Sequence, residues 1–273
     1  MKVRKAIMPV AGLGTRFFPA AKAVPKELLP IVDKPVIQYL VEEAVLSGIE
    51  EIIFVISKGK ELIKSHFSRQ PELEALLEKR GKKEPARRIR SLHTMAKFHY
   101  VYQDEPKGDG HAILCAEKWV GDEPFLVLFG DDIVKSEIPA AKQLLDHFRG
   151  ESVIAVERVR SDQVSSYGII NPGKCEGRLC EVLDLVEKPA PEEAPSDLGI
   201  IGKYVCPAGT WKALREAKPG KDGEIRLIDG FKTIMKTQKV WAYAIEGQRF
   251  DTGKPSGLIA ANNAFLRDTK KES

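Results

Sequence analysis

The feature that most constrains this chain is a strand–helix–strand pattern at its start. Arg4–Val10 and Glu51–Ile56 are short apolar runs, and between them Val36, Ile37, Leu40, Val41, Ala44 and Val45 recur at helical spacing. Pro35 suits the first turn of that helix, where its missing N–H costs nothing, and Gly48 ends it. Two strands joined in this way lie parallel, with a right-handed crossover. The pattern predicts an α/β fold with a Rossmann-like, mostly parallel central sheet and helices on both faces. Phe125–Phe129, apolar at every position, reads as a central strand of that sheet.

Further strands are predicted at Phe98–Gln103 and Ser152–Val156, and helices at His111–Trp119 and Ala140–Phe148. Beyond about residue 157 the pattern changes to short β pieces at Tyr167–Ile170, Leu179–Val186 and Gly199–Val205. Helices follow near Pro207–Glu216 and Arg226–Met235, then a strand at Val240–Ile245 and a helix at Pro255–Leu266. The β pieces read as a smaller antiparallel addition that walls a cleft. No internal repeat is visible, so 1–273 reads as one domain in two halves, about 1–157 and about 158–273.

Several function classes are excluded early. Lys79 to Arg90 holds seven basic residues against one acidic, which leaves the rest of the chain slightly acidic in a total of +4. A nucleic-acid-binding surface would not concentrate its charge in this way, and the run reads as a solvated helix face. No apolar stretch approaches the roughly 20 residues that span a bilayer. The first residues read as a strand rather than a signal peptide, which implies the cytosol. Cys115, Cys175, Cys180 and Cys206 form no C-x-x-C pair and are expected to be free thiols.

Two segments carry chemistry. Gly12-Leu13-Gly14-Thr15-Arg16-Phe17 opens like a dinucleotide fingerprint, but Phe17 stands where glycine is needed. The second strand also runs into Ser57 and Lys58 rather than a ribose-binding acid, which disfavours an NAD enzyme. What remains is a turn open to close backbone approach, with Arg16 and Lys26 nearby. It suits a triphosphate, or it is a tight turn with surface cations. Gly130-Asp131-Asp132 lies at the carboxyl end of the apolar strand, where open α/β sheets place ligands. Neighbours in extended chain point apart, so one aspartate is expected to face the cleft.

Taken together, the motifs resemble those of the sugar-1-phosphate nucleotidyltransferases, and most closely their bacterial uridylyl branch. The resemblance rests on Gly12–Arg16, Pro25-Lys26-Glu27-Leu28-Leu29-Pro30, Asp33-Lys34-Pro35, Gln38-Tyr39 and Gly108-x-Gly110-His111-Ala112. It continues through Gly121-Asp122-Glu123-Pro124, Tyr167-Gly168 and Glu187-Lys188-Pro189, and so covers nearly the whole chain in order. It implies uridylyl transfer from UTP to glucose 1-phosphate, giving UDP-glucose and pyrophosphate, with Mg²⁺ as cofactor and a homo-oligomeric assembly.

The same resemblance assigns roles. Arg16, Lys26 and Lys188 would be catalytic cations. Ala11, Gly12, Gly14, Thr15, Gln103, Gly108 and Asp131 would bind the nucleotide in the first half, with the glycines of Gly108-x-Gly110 admitting the base. Gly168, Glu187 and Lys188 would bind the sugar phosphate in the second half, and Asp131 with Asp251 would hold the metal. His111 reads as structural. Glu187 and Lys188 are neighbours and should point apart in a strand, unless a bulge at Pro189 intervenes. Three residues depart from the family pattern: Arg226 in place of Gln, Ile228 in place of Thr, and Asp197 in place of Asn. They bear on the choice of sugar more than on the reaction. A thymidylyltransferase and a non-catalytic nucleotide-sugar-binding protein are the alternatives.

Overall fold

A computed structural model describes residues 2–220 and 222–269; Lys221 and the ends of the expected 1–273 domain, Met1 and residues 270–273, lie outside the described residues. In chain order the elements are β1 (Lys5–Pro9), β2 (Pro30–Ile31), β3 (Lys34–Pro35), α1 (Val36–Leu46), β4 (Glu51–Ile56), α2 (Glu61–His66), α3 (Pro71–Lys79), α4 (Lys83–Leu92) and β5 (Lys97–Tyr102). Then come α5 (Asp109–Cys115), α6 (Glu117–Val120), β6 (Phe125–Leu128), β7 (Asp132–Lys135), α7 (Ala140–His147), β8 (Ser152–Arg158), β9 (Gly168–Glu176) and β10 (Leu179–Glu187). The chain closes with β11 (Leu198–Cys206), α8 (Thr210–Glu216), α9 (Leu227–Ile234), β12 (Val240–Ala244), β13 (Gln248–Asp251) and α10 (Pro255–Thr269). No described helix is long and apolar enough to cross a membrane.

One nine-stranded sheet, in the order β5-β4-β1-β6-β11-β8-β12-β10-β9, organises the molecule. The opening unit forms as its periodicity dictates, with β1 parallel to β4 and β6, and β4 parallel to β5. The sheet as a whole is mixed, which corrects the mostly parallel arrangement read from the sequence. β11 is antiparallel to both β6 and β8, and β10 is antiparallel to β12 and β9, while β12 runs parallel to β8. The β9–β10 reversal follows from its connection: only Gly177 and Arg178 separate the two strands, a tight hairpin that joins antiparallel neighbours. Nor do the antiparallel strands form a separate addition: β11, from the second half, sits between strands of the first.

Alternation along the strands splits the core into two layers. In β4, Ile52, Phe54 and Ile56 face the layer covered by α1, α7 and α10, while Ile53 and Val55 face the layer under α5, α8 and α9. Phe54 stacks against Phe67, Phe98 and Tyr100. Each such buried ring contributes about 1.5–3 kcal/mol. The basic run lies on α3 and α4, where Arg90 pairs with Glu74 and Glu78, and Arg87 and Arg88 pair with Glu84 at the surface.

The expectation of four free cysteines is also corrected. Cys175 and Cys180 lie directly opposite one another on β9 and β10 and form a disulfide, while Cys115 and Cys206 are free. A spacing rule written for one turn misses this pair, because the hairpin turn around Gly177 brings the two residues together.

One buried charge pair ties the layers. Lys203 on β11 is fully enclosed, and its Nζ donates to Glu43 Oε2 of α1 at 2.8 Å. Glu43 Oε1 accepts from Ala141 N–H at the start of α7 at 2.9 Å. Glu43→Ala would strand a buried ammonium and is expected to lower stability by about 3–5 kcal/mol in urea denaturation. The double variant Lys203→Met/Glu43→Leu should lose much less than that.

Candidate active site

Two cavities open side by side at the carboxyl ends of β1, β4 and β6, of about 560 and 510 Å³. Asp109, Phe129 and Glu224 line both and form their common wall. The first cavity is bounded by Ala11, Gly12, Lys26, Gln103, Gly108 and Asp131; the second by Arg16, Gly168, Glu187, Lys188, Arg249 and Asp251. Gly14 and Thr15 line neither. Gly14 has a left-handed φ of 69°, and its α-carbon packs against the Lys26 stem. Gly12 has open space where a Cβ would be, which leaves its backbone approachable.

On the first cavity's side of the seam, Lys26 Nζ lies 2.6 Å from Asp131 Oδ2. Burial works against the Lys26 charge, but Asp131 and Glu27 outweigh it and raise its pKa. Burial likewise opposes ionisation of Asp131, and Lys26 outweighs it, so Asp131 stays a carboxylate. Asp131 lies in a turn and Asp132 opens β7, and both line the cleft where one was expected to: Asp131 borders the first cavity and Asp132 the second. Asp132 is buried, accepts from Gly202 N–H at 2.6 Å and pairs with Arg249.

Asp251 is brought here by a pairing that no local pattern announces. β13 runs antiparallel to β7 with Asp251 opposite Asp132, and Thr252 donates its N–H and its hydroxyl to Asp131 O at 2.8 and 2.9 Å. A Cβ on Gly253 would lie 2.5 Å from Asp131 Oδ2 and 3.0 Å from Asp251 Oδ1. The two carboxylates therefore converge over a glycine. Among the described residues no group of three or more His, Cys, Asp or Glu gathers to hold a metal. An oxygen-only pair of this kind fits Mg²⁺, which takes one or two carboxylates and completes its shell with water and phosphate oxygens.

Glu187 and Lys188 both face the second cavity, and the conflict between them is resolved at Lys188 rather than at Pro189. Lys188 adopts φ 47°, a left-handed conformation that costs a non-glycine residue about 1–2 kcal/mol. Its N–H is held by Tyr167 O at 3.0 Å, and its Nζ lies 3.4 Å from Glu187 Oε1. Strain of this sort tends to be kept where it serves a site.

Gln103 is buried and donates its amide to Gly108 O at 3.0 Å and to His111 Nδ1 at 3.1 Å. His111, its pKa lowered by burial and by Lys107, is a neutral brace. A Cβ on Gly108 would come within 2.4 Å of Ile225 O, so the segment 224–226 presses on one side of this backbone, while Gly108 also borders the first cavity. Of the three departures, Arg226 and Ile228 line the second cavity, and Ile228 packs on Gly168. Asp197 does not; it forms an exposed pair with Arg158, which corrects its expected place beside the pocket. Sequence reasoning missed Asp109, Glu224 and Arg249. Arg249 bonds Asp132, Glu157 at 2.7 Å and Tyr167 Oη at 3.1 Å, fixing β13 to the cavity wall.

A profile of the family described as Nucleotidyl transferase matches residues 5–268. A UTP–glucose-1-phosphate uridylyltransferase of Bacillus subtilis (strain 168) is 48% identical over 272 residues, covering 99% of this chain and 93% of that protein. A crystal structure of UDP-glucose pyrophosphorylase complexed with UDP-glucose superimposes with a TM-score of 0.88 at 38% identity, covering 98% of this chain and all of that one. A UTP-bound UGPase from Acinetobacter baumannii superimposes with a TM-score of 0.90 at 36% identity, covering 97% of this chain and 93% of that one.

Asp109 yields a test of the common wall. Burial pushes its carboxyl up to about 6, Glu187 and Glu224 add to this, and the Leu227 N–H at 2.7 Å and Arg226 oppose it. The folded state thus holds the proton to higher pH than the unfolded chain, and stability falls as pH rises from about 4 to about 6. Asp109→Asn keeps an oxygen for Leu227. It should match the parent in urea at pH 4 and exceed it at pH 7 by about 1–3 kcal/mol.

Proposed function

This chain belongs to the nucleotidyl transferase family, and from that premise we propose that it transfers a uridylyl group from UTP to glucose 1-phosphate, giving UDP-glucose and pyrophosphate. The observation that carries the reading is the pair of cavities with a common wall, with Lys26 and Asp131 on the first cavity's side of the seam and Lys188 in the second. The relatives that act on or bind these compounds match this chain over nearly its whole length.

In this reading UTP occupies the first cavity. Its uracil edge meets Gln103 and its phosphates run over the Ala11–Gly12 backbone towards Lys26. Glucose 1-phosphate occupies the second, with its hydroxyls against Glu187 and the Gly168 backbone and its phosphate on Lys188. A phosphate oxygen of the sugar attacks the α-phosphorus of UTP, the bond to the β-phosphate oxygen breaks, and pyrophosphate leaves with that electron pair. The attacking oxygen is already anionic, so no general base is needed. Arg16, Lys26 and Lys188 align the reactants and offset the charge that crowds between them. Asp131 and Asp251 would hold Mg²⁺, which when bound neutralises phosphate charge. The first half of the chain is thus the nucleotide side and the second the sugar side, and a supply of UTP places the reaction in the cytoplasm.

Pyrophosphate release with Mg²⁺, UTP and a panel of sugar 1-phosphates tests the reading, and glucose 1-phosphate should be the preferred acceptor. Replacing UTP by dTTP should lower kcat/KM. Lys188→Ala and Asp131→Ala should each lose about 10²–10³-fold in turnover. Near-parental rates in either variant would contradict the site.

A further inference from the structure

Lys60 is a buried cation that the proposed reaction does not use. It precedes α2 and retains only 7% of its surface, yet it lines neither cavity. Its side chain runs back beneath the Gly-rich turn, where Nζ donates to Val10 O at 2.6 Å, Glu27 Oε1 at 2.9 Å and Glu27 Oε2 at 2.8 Å. Three ammonium hydrogens thus meet three acceptors. Glu27 is itself 1% exposed.

The segments tied by this knot are those that present the reacting groups. Val10 leads into Ala11 and Gly12, and Glu27 follows Lys26. Gly130 closes the same knot from β6, since a Cβ there would lie 2.7 Å from Val10 Cγ1 and 3.1 Å from Glu27 Cγ. Asp131 is the next residue. One ammonium group therefore sets the spacing of the Gly-rich turn, Lys26 and Asp131.

We propose that Lys60 is a positioning residue for uridylyl transfer, occupying the Glu27 carboxylate so that Lys26 stays free to meet phosphate. The inference rests on the role given above to Lys26. Without the Lys60 ammonium, Glu27 becomes a buried carboxylate with Lys26 beside it in the chain and already within its field. Lys26 would then be drawn away from the seam. Neutralising both members removes that pull, because a buried pair replaced by neutral groups leaves no stranded charge.

The test is a double-substitution cycle on the full chain, with Lys60→Met, Glu27→Gln and both together. Pyrophosphate release gives kcat and both KM values, and thermal melts are run alongside. Lys60→Met should lose about 30–100-fold in kcat, while its KM for glucose 1-phosphate, bound in the other cavity, changes less than about threefold. The double variant should regain at least about tenfold over Lys60→Met, a non-additivity that loss of folded protein would not produce. Lys60→Met with parental kcat per folded site and a lowered melting temperature would overturn the proposal, as would a double variant no faster than Lys60→Met. Should Lys60→Met not fold, the double variant decides alone: a folded double variant within about tenfold of the parent's kcat supports the proposal, and a larger loss overturns it. A parent chain that makes no UDP-glucose would instead overturn the functional reading beneath it.

Discussion

The ion pair between Lys26 and Asp131 is the interaction on which the rest of this structure depends. It joins the segment after the Gly-rich turn to the carboxyl end of β6, on the first cavity's side of the line where the two cavities meet. Each charge is half-buried and therefore needs a partner. On the proposed reading substrate binding is an exchange of partners: a phosphate replaces Asp131 beside Lys26, and a cation replaces Lys26 beside Asp131. Neither charge is left unpaired in the cleft at either stage. Such an exchange requires the two groups to be held at a fixed separation, and the buried contacts beneath them provide it.

The sheet supplies that rigidity. Its parallel strands deliver β1 and β6 side by side, so that the Gly-rich turn and Asp131 emerge at one edge. The inserted strand β11 then places Gly202 against Asp132, and β13 places Asp251 opposite it. Arg249 bridges Asp132, Glu157 and Tyr167, so β13 is tied to β7, β8 and the segment before β9. The mixed topology is what brings Gly202 and Asp251 up to the turn that carries Asp131 and Asp132.

How much of this was legible follows the range of each interaction. The βαβ unit and the buried strand β6 depend on near neighbours, and the sequence shows them. The convergence of Asp131 with Asp251 depends on the pairing of β7 with β13, more than a hundred residues apart, and only the family resemblance pointed to Asp251. The shared orientation of Glu187 and Lys188 rests on a left-handed lysine, a conformation that no residue preference announces. The packing of the segment 224–226 on Gly108 was not foreseen, because that segment lies far along the chain. The cysteine pair and the insertion of β11 between β6 and β8 were missed for the same reason: pairing between distant strands is not written in local periodicity. Arg226 and Ile228 are the two departures from the family pattern that line the second cavity.

The most direct measurement is a crystal structure with UDP-glucose and Mn²⁺, located by its anomalous signal. The account predicts uracil in the first cavity, glucose in the second and the diphosphate across the seam. Lys26 should have left Asp131 for a phosphate oxygen, and the anomalous peak should sit beside Asp131. A Lys26–Asp131 pair still intact, with the diphosphate bound away from Lys188 and Asp131, would contradict it.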